Sequence, residues 1–381
     1  MSFAAGLSEH PLTAHAVAEV AGAALEQIGP GPDLALLFMT PHHAGALEDA
    51  AGAIRAILSP GTLVGCAAAA VIGIGREVEG GPGVALWAGN TGPVTPVTLE
   101  SQSIGDDEAV ITGWPESMPF DPAALLLVAD PFSFPAAPFF EYLRDSYPDL
   151  PVIGGMASVG RGPGGNRLLL DGSVRTSGAV GAFVGPGVTI DAVVSQGCRP
   201  IGPPLAVTRC ERNVIYELAG APALERLTEL LNRGIPPEDA QLIRATALHI
   251  GLLLDEHKAT FSQEDFLIRA VLGGNAEVGA VVIDEGVELG TIVQFQVRDD
   301  ASADAELREL LGERTAQSAL VFTCNGRGFQ LFGEPDHDAT VVADAFGPIP
   351  TAGFFAAGEF GPVHRRNFLH SSSASIALLR E

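Results

Sequence analysis

The stretch Leu34-Ala-Leu-Leu-Phe-Met39 runs through Thr40-Pro-His-His43 and a helical segment, Ala46 to Leu58, into Leu63-Val-Gly-Cys-Ala-Ala68. A hairpin then closes the segment at Val84-Ala-Leu-Trp87. Unbroken apolar runs of this length, joined by a helix, mark parallel strands covered on both faces, since a strand with one wet face would alternate. The strand–helix–strand crossover is expected to be right-handed.

Two further segments follow the same script. Ala124-Leu-Leu-Leu-Val128 leads through Ala-Asp-Pro-Phe-Ser133 and a helix from about Ala137 to Ser146 into Pro151-Val-Ile-Gly-Gly-Met-Ala-Ser158, with Gly178-Ala-Val-Gly-Ala-Phe-Val184 closing it. Ala319-Leu-Val-Phe-Thr323 leads through Cys324-Asn-Gly-Arg-Gly328 and a helix near Ala339 to Ala345 into Ile349-Pro-Thr-Ala-Gly-Phe-Phe-Ala-Ala-Gly-Glu359, with Ser375-Ile-Ala-Leu-Leu379 at the end. Gly65, Gly154 and Gly353 fall at matching places, 26 to 30 residues after the first strand of each segment. The fold class this predicts is α/β: mixed sheets built from repeated β-α-β-hairpin units, in two fused halves. Between the second and third segments a helix-rich insertion is expected, over Val214 to Asn232, Pro236 to Leu248 and Ser262 to Leu272. Ser262 with Asp265 reads as a capping-box variant opening the last of these. Strands Gly279–Ile283 and Thr291–Val297 flank the turn Asp284-Glu-Gly286, and a helix follows over Ala303 to Leu311.

The bulk properties narrow the function. The chain has 381 residues, 46 acidic against 21 basic, a formal charge of −25, and 47% hydrophobic residues. That much apolar surface can offset chain entropy, so the chain folds. The negative charge argues against nucleic acid or an anionic membrane surface as a partner. The N-terminus lacks a basic leader, its apolar residues being broken by Glu9, His10, His15 and Glu19. No run approaches the roughly 18 to 20 apolar residues that span a bilayer. Cys66, Cys198, Cys210 and Cys324 show no metal or redox spacing. A reduced, cytoplasmic protein without membrane insertion, metal or cofactor is the expectation.

In open parallel sheets, ligands bind beyond the carboxyl ends of the strands. The segments to weigh are therefore Thr40–His43, Cys66–Ala68, Asp130–Ser133, Met156–Ser158, Cys324–Gly328 and Gly353–Gly361. Cys324 to Gly328 is the sharpest, with a thiol, an amide and a guanidinium between glycines. Arg327 could fork onto a carboxylate or phosphate, or be a structural arginine bound to backbone carbonyls or paired with Glu359. Glu359 could accept a ligand's ammonium or hydroxyl group, or pair with Arg365 or Arg366. Cys324 could be a nucleophile if its pKa were lowered, although a buried inert thiol is the commoner outcome. Ser158 sits nearly where Cys66 does in the other segment, without a base close in sequence. His42 and His43 are adjacent and point apart, so a shared metal ion is not expected. Gly160-Arg-Gly-Pro-Gly-Gly165 satisfies G-x-G-x-x-G, but Pro163 lies inside it and strand-like Arg167–Leu170 follows. It reads as a hairpin loop, not a dinucleotide fingerprint.

Several stretches together resemble the FIST family: Pro151–Ser158, Gly197-Cys-Arg-Pro-Ile-Gly202, Phe266-Leu-Ile-Arg269, Cys324-Asn-Gly-Arg-Gly328 and Gly353-Phe-Phe-Ala-Ala-Gly-Glu-Phe-Gly361. The resemblance implies an N-terminal helical extension over 1–32, a FIST N-terminal-like domain over 33–220, and a FIST C-terminal-like domain over 221–381. It also implies an intracellular sensor of small ligands such as amino acids, with Cys324, Asn325, Gly326, Arg327, Gly328, Gly358 and Glu359 in the matching motifs. Family members often carry output domains; this sequence shows none, so signalling through a separate partner protein is expected. Two functions follow from the residues. One is a binding module, in which Arg327 holds a ligand carboxylate, Glu359 its amine, and Ser158 lies nearby. The other is a hydrolase or transferase acting on an amide, with Cys324 as nucleophile. Binding is favoured because no base and orienting group accompany the thiol. Oligomeric state is not legible.

Overall fold

A computed structural model of the chain describes residues 2–103, 109–232, 236, 239, 243, 248–255, 258 and 261–381. They form a mixed α/β protein with two compact units, one of residues 1–195 and 308–381, the other of residues 196–307. The second unit is thus an insertion within the first.

The first unit contains three sheets, each built on one parallel pair. Leu34–Met39 pairs parallel with Thr62–Ala67 and antiparallel with Val84–Gly89. Ala124–Ala129 pairs parallel with Val152–Met156 and antiparallel with Ala179–Val184. Ser318–Cys324 pairs parallel with Thr351–Ala356 and antiparallel with Ala374–Arg380. Gly65, Gly154 and Gly353 lie opposite Leu37, Leu127 and Val321 in these parallel pairs. At each, an added Cβ would stand within 2.1 Å of the facing residue's carbonyl oxygen. That close approach is the physical content of the matching glycines.

All three sheets face a common apolar core that includes Phe38, Val64, Leu126, Ile153, Leu320 and Phe354. Phe38, Phe322 and Phe354 lock it with ring centroids 5.0 to 6.2 Å apart. The outer face of the first sheet is covered by helices Thr13–Ile28 and Leu47–Leu58, that of the second by helix Ala136–Ser146. Burial on both faces accounts for the unbroken apolar runs. A short strand, Phe3–Ser8, precedes the first helix and pairs with Val84–Gly89.

The second unit departs from the expected helical insertion. Val214–Leu218 and Phe266–Asn275 are strands, with Ala223–Asn232 the helix between them. The Ser262–Asp265 capping box is present, but it opens a single 3-10 turn before the strand begins. The segment Pro236 to Leu248 lies largely outside the described residues. Short apolar runs are ambiguous between buried strand and helix, and pairing decides. Strands Gly279–Ile283 and Thr291–Val297, expected on either side of Asp284-Glu-Gly286, pair with different neighbours. Ala280–Ile283 pairs with Val214–Leu218 and Phe266–Asn275, whereas Ile292–Arg298 pairs with Leu205–Glu211 and Leu248–Leu253. Because Leu248–Leu253 also pairs with Phe266–Asn275, the strands close into a ring. Ile215, Ile250, Val281, Val293 and Phe295 contribute to its apolar filling. Closure gives each of the six strands in the ring a partner on both sides, with Cys198–Pro200 and Ala221–Pro222 paired at its margin. No helix among the described residues is long and apolar enough to cross a membrane.

Candidate functional site

At the carboxyl ends of the parallel pairs, the loops of the first unit meet. The Ser158 hydroxyl accepts from the Ala69 N–H at 2.8 Å and donates to the Phe355 carbonyl. It therefore ties the ends of all three sheets together. Phe355 N–H returns to Ala70 O at 3.0 Å, and Met156 N–H reaches Gly358 O at 2.8 Å. The Asn325 N–H bonds Ala356 O at 2.9 Å, which lays Cys324–Gly328 beside the end of the neighbouring strand.

Within that loop, Asn325 is exposed, Cys324 and Gly326 are half-buried, and Gly328 is buried. The Gly326 N–H points at the Cys324 sulfur, 3.4 Å away. Arg327 turns inward and is completely buried. Its Nε and Nη2 fork onto both oxygens of Asp338, each at 2.8 Å, with the guanidinium 5.2 Å from the Phe332 ring centre. Asp338 also accepts from Thr323 Oγ1 at 2.5 Å and contacts His337 Nδ1 at 3.0 Å. Glu359 is equally buried and accepts from the Ser373 N–H and hydroxyl at 3.0 and 2.7 Å. Ser373 in turn accepts the Cys324 N–H at 2.9 Å, so Cys324 and Glu359 share one anchoring residue. Gly358 is buried beside Leu369. The loops therefore come together, while the two charged side chains are committed to different partners.

Glu77 was not foreseen. It lies on the short strand Arg76–Val78 at the edge of the third sheet, and its Oε1 accepts the Ala339 N–H at 3.0 Å. Glu79 holds the other end of the loop, accepting the Phe329 N–H at 2.9 Å. Burial alone would raise the Asp338 carboxyl, but the Arg327 charge, His337 and Thr323 outweigh it and hold Asp338 well below the usual carboxylate range. Burial, with the Asp338 charge next, pushes Glu77 up to about 8. A carboxyl raised on folding stabilises the fold fully below its unfolded value near 4.5 and loses that contribution as pH rises through about 8. Glu77→Gln should therefore gain stability relative to wild type as pH rises from 5 to about 8, by up to roughly 1.4 kcal/mol per unit, and level off above that. Melting curves of both proteins across that range test it; a gap that does not change with pH would refute it.

Cys66 points into the apolar core, and burial raises its thiol pKa, which makes it a poor nucleophile. His43 is buried with Nδ1 2.9 Å from Thr13 Oγ1. Among the described residues no group of three or more His, Cys, Asp or Glu is placed to hold a metal ion. Gly160–Gly165 is a loop between strands, where Asn166 accepts the Gly160 N–H at 2.7 Å and donates to Asp130 at 2.8 Å. Sequence offered little signal for Glu77 or Ser373, because each acts through contacts far along the chain. The acidic first turn of the helix His337–Phe346 was the one local hint of Asp338.

A FIST N domain model matches residues 33–221 and a FIST C domain model matches residues 223–362. The uncharacterized protein Rv0628c of Mycobacterium tuberculosis H37Rv is 43% identical over 389 residues, covering 99% of each chain. The uncharacterized protein Mb0898c of Mycobacterium bovis is 41% identical over 389 residues, covering 99% of this chain and 98% of its own.

Proposed function

The chain belongs to the FIST family, whose domains are associated with sensing small ligands in signal transduction, and from that premise we propose that it senses a small polar metabolite such as an amino acid. The observation that carries this reading is the meeting of the strand-end loops through Ser158. In this reading Cys324 and Asn325 present a sulfur and an amide to the ligand, with Gly326 and Ser158 beside them, the Gly326 N–H aimed at the Cys324 sulfur and the Ser158 hydroxyl bonded to Ala69 and Phe355. Gly328 and Gly358 shape the loops. Arg327 and Glu359, engaged by Asp338 and Ser373, hold those loops in place and do not grip the ligand themselves. The three strand–helix–strand segments are copies of one unit, in a chain of two fused family halves. Output passes to a separate partner protein.

The test is a melting-temperature screen of the full chain against amino acids and related polar metabolites. A ligand at a hundredfold excess over Kd should add about 2.7 kcal/mol of stability. Asn325→Ala, which removes an exposed side chain, should abolish the shift and leave the unliganded melting temperature unchanged. Flat responses across the set, or a shift that survives in Asn325→Ala, would defeat the reading.

A further inference from the structure

The three segments of the first unit differ at one connection. After its second parallel strand, each segment passes a hairpin to a neighbouring sheet. Val71–Gly73 joins the third sheet, Leu168–Leu170 the first and Glu359–Val363 the second. Residues 68–70 make the first of these connections and residues 357–358 the third. The second takes residues 157–167, eleven in place of three and two. It contains the Gly160–Gly165 motif noted in the sequence, and near its start lies Ser158, which joins the strand ends. A loop lengthened in one copy alone is not required by the repeat, and loops set on a rigid scaffold are where binding residues concentrate.

Buried groups fix this loop in place. Asn166 and Asp130 are both shielded from water. Asn166 accepts the Gly160 N–H at 2.7 Å and donates to Asp130 at 2.8 Å, and Asp130 also accepts from the Ser133 hydroxyl at 2.6 Å. The Gly165 N–H closes onto Gly162 O at 3.0 Å, and Arg167 Nη1 reaches the carbonyls of Gly164 and Asn166 at 2.9 and 2.7 Å. The ends of the loop approach so closely that a Cβ on Gly160 would stand 2.8 Å from the Asn166 nitrogen. With glycine or proline at 160 and at 162–165, Arg161 is the one long side chain between them. It is exposed, and among the described residues it has no hydrogen-bond or ion-pair partner. In the same unit Arg55, Arg76, Arg175 and Arg314 each pair with a carboxylate, and Arg327 is locked to Asp338.

We propose that Arg161 takes the carboxylate of the ligand at the strand-end loops, which makes that ligand a small molecule with a free carboxylate. This rests on the reading of those loops as a sensor site and names the group that Arg327, turned inward, does not supply. From Ser158 to Arg161 the chain spans at most about 11 Å. Ser158 holds the Phe355 carbonyl, and the Asn325 N–H holds the next one, that of Ala356. Arg161 and Asn325 thus border the same strand ends. A guanidinium forks onto a carboxylate through two parallel bonds, and an uncommitted one gives up no partner in doing so. One guanidinium also matches the single charge of a carboxylate, whereas a phosphate monoester would bring about 1.5 to 2 charges to a chain already at −25.

Calorimetric titration of the full chain with the standard amino acids, with the carboxamide of each one that binds, and with inorganic phosphate tests this. At least one amino acid should bind, its carboxamide at least about tenfold more weakly, and phosphate not at all. Arg161→Ala should weaken the amino acid about tenfold or more and leave the carboxamide unchanged, and Arg161→Lys should fall between. Both variants should melt with wild type when nothing is bound, since Arg161 has no partner in the fold. Asn325→Ala distinguishes this role from the site itself. If Asn325→Ala loses the amino acid while Arg161→Ala binds it like wild type, the loops remain the binding site and Arg161 has no part in it. A carboxamide or phosphate that binds as tightly as the amino acid would equally overturn the carboxylate assignment. If no amino acid binds wild type, the sensor reading and the role of Arg161 fall together.

Discussion

Arg327→Ala is expected to destabilise the protein by about 3–5 kcal/mol, the cost of leaving one partner of a buried ion pair behind. The guanidinium and the Asp338 carboxylate are both almost completely shielded from water, and they meet through two parallel bonds of 2.8 Å. Removing Arg327 strands the Asp338 charge next to Glu77, whose carboxyl is already raised by burial and by that same charge. Asp338 would have to take up a proton or pull water inward, and either route costs stability. Arg327→Lys should fall between, because an ammonium keeps the charge but cannot form the planar fork. The double variant Arg327→Met with Asp338→Asn should recover part of the loss, since it buries no lone charge. Urea denaturation of the set measures this. A single alanine variant within about 1 kcal/mol of wild type would mean that the pair contributes nothing beyond the groups around it.

Gly353→Ala should cost about 3 kcal/mol or more, or prevent folding altogether. The new methyl would stand 1.7 Å from the carbonyl oxygen of Val321, its partner in the parallel pair. The obstacle is backbone on the neighbouring strand, which cannot swing aside as a side-chain end would. Separating the strands far enough to admit a methyl would break their hydrogen bonds inside the core shared by three sheets. Gly154→Ala should be at least as severe. Its carbonyl neighbour is 1.9 Å from the Cβ position, and the residue also sits at φ 146, which L-residues rarely adopt. Gly52→Ala is the internal contrast: exposed in the middle of helix Leu47–Leu58 with nothing near its Cβ position, it should stabilise by about 0.5–1 kcal/mol. Soluble yield and denaturation midpoints distinguish the three. If Gly353→Ala matched Gly52→Ala, the close strand approach would be refuted.

Much of the first unit was written in local pattern. The runs at Leu34, Ala124 and Ala319 are apolar at every position because each strand is covered twice, and that signal survives without knowledge of the partners. The helices after them and the matching glycines could be placed by spacing alone. The second unit was not legible in this way. Val214–Leu218 and the run from Phe266 are short, and only their pairing partners make them strands of a closed ring. An ambiguous segment takes its state from what lies beside it, and that neighbour is distant in sequence.

The same division runs through the loops. Sequence by itself identified the family, the strand-end segments and the motif around Cys324 to Gly328, because strand ends and glycines are local features. It could not say which way Arg327 points. Its partner Asp338 lies on a different element, Glu77 lies 261 positions before Asp338, and Ser373 joins Cys324 to Glu359 from yet another strand end. Tertiary structure turned the most promising ligand-binding cation into the centre of a buried ion pair, because removing an arginine from water demands a carboxylate within reach, and only the folded chain supplies one.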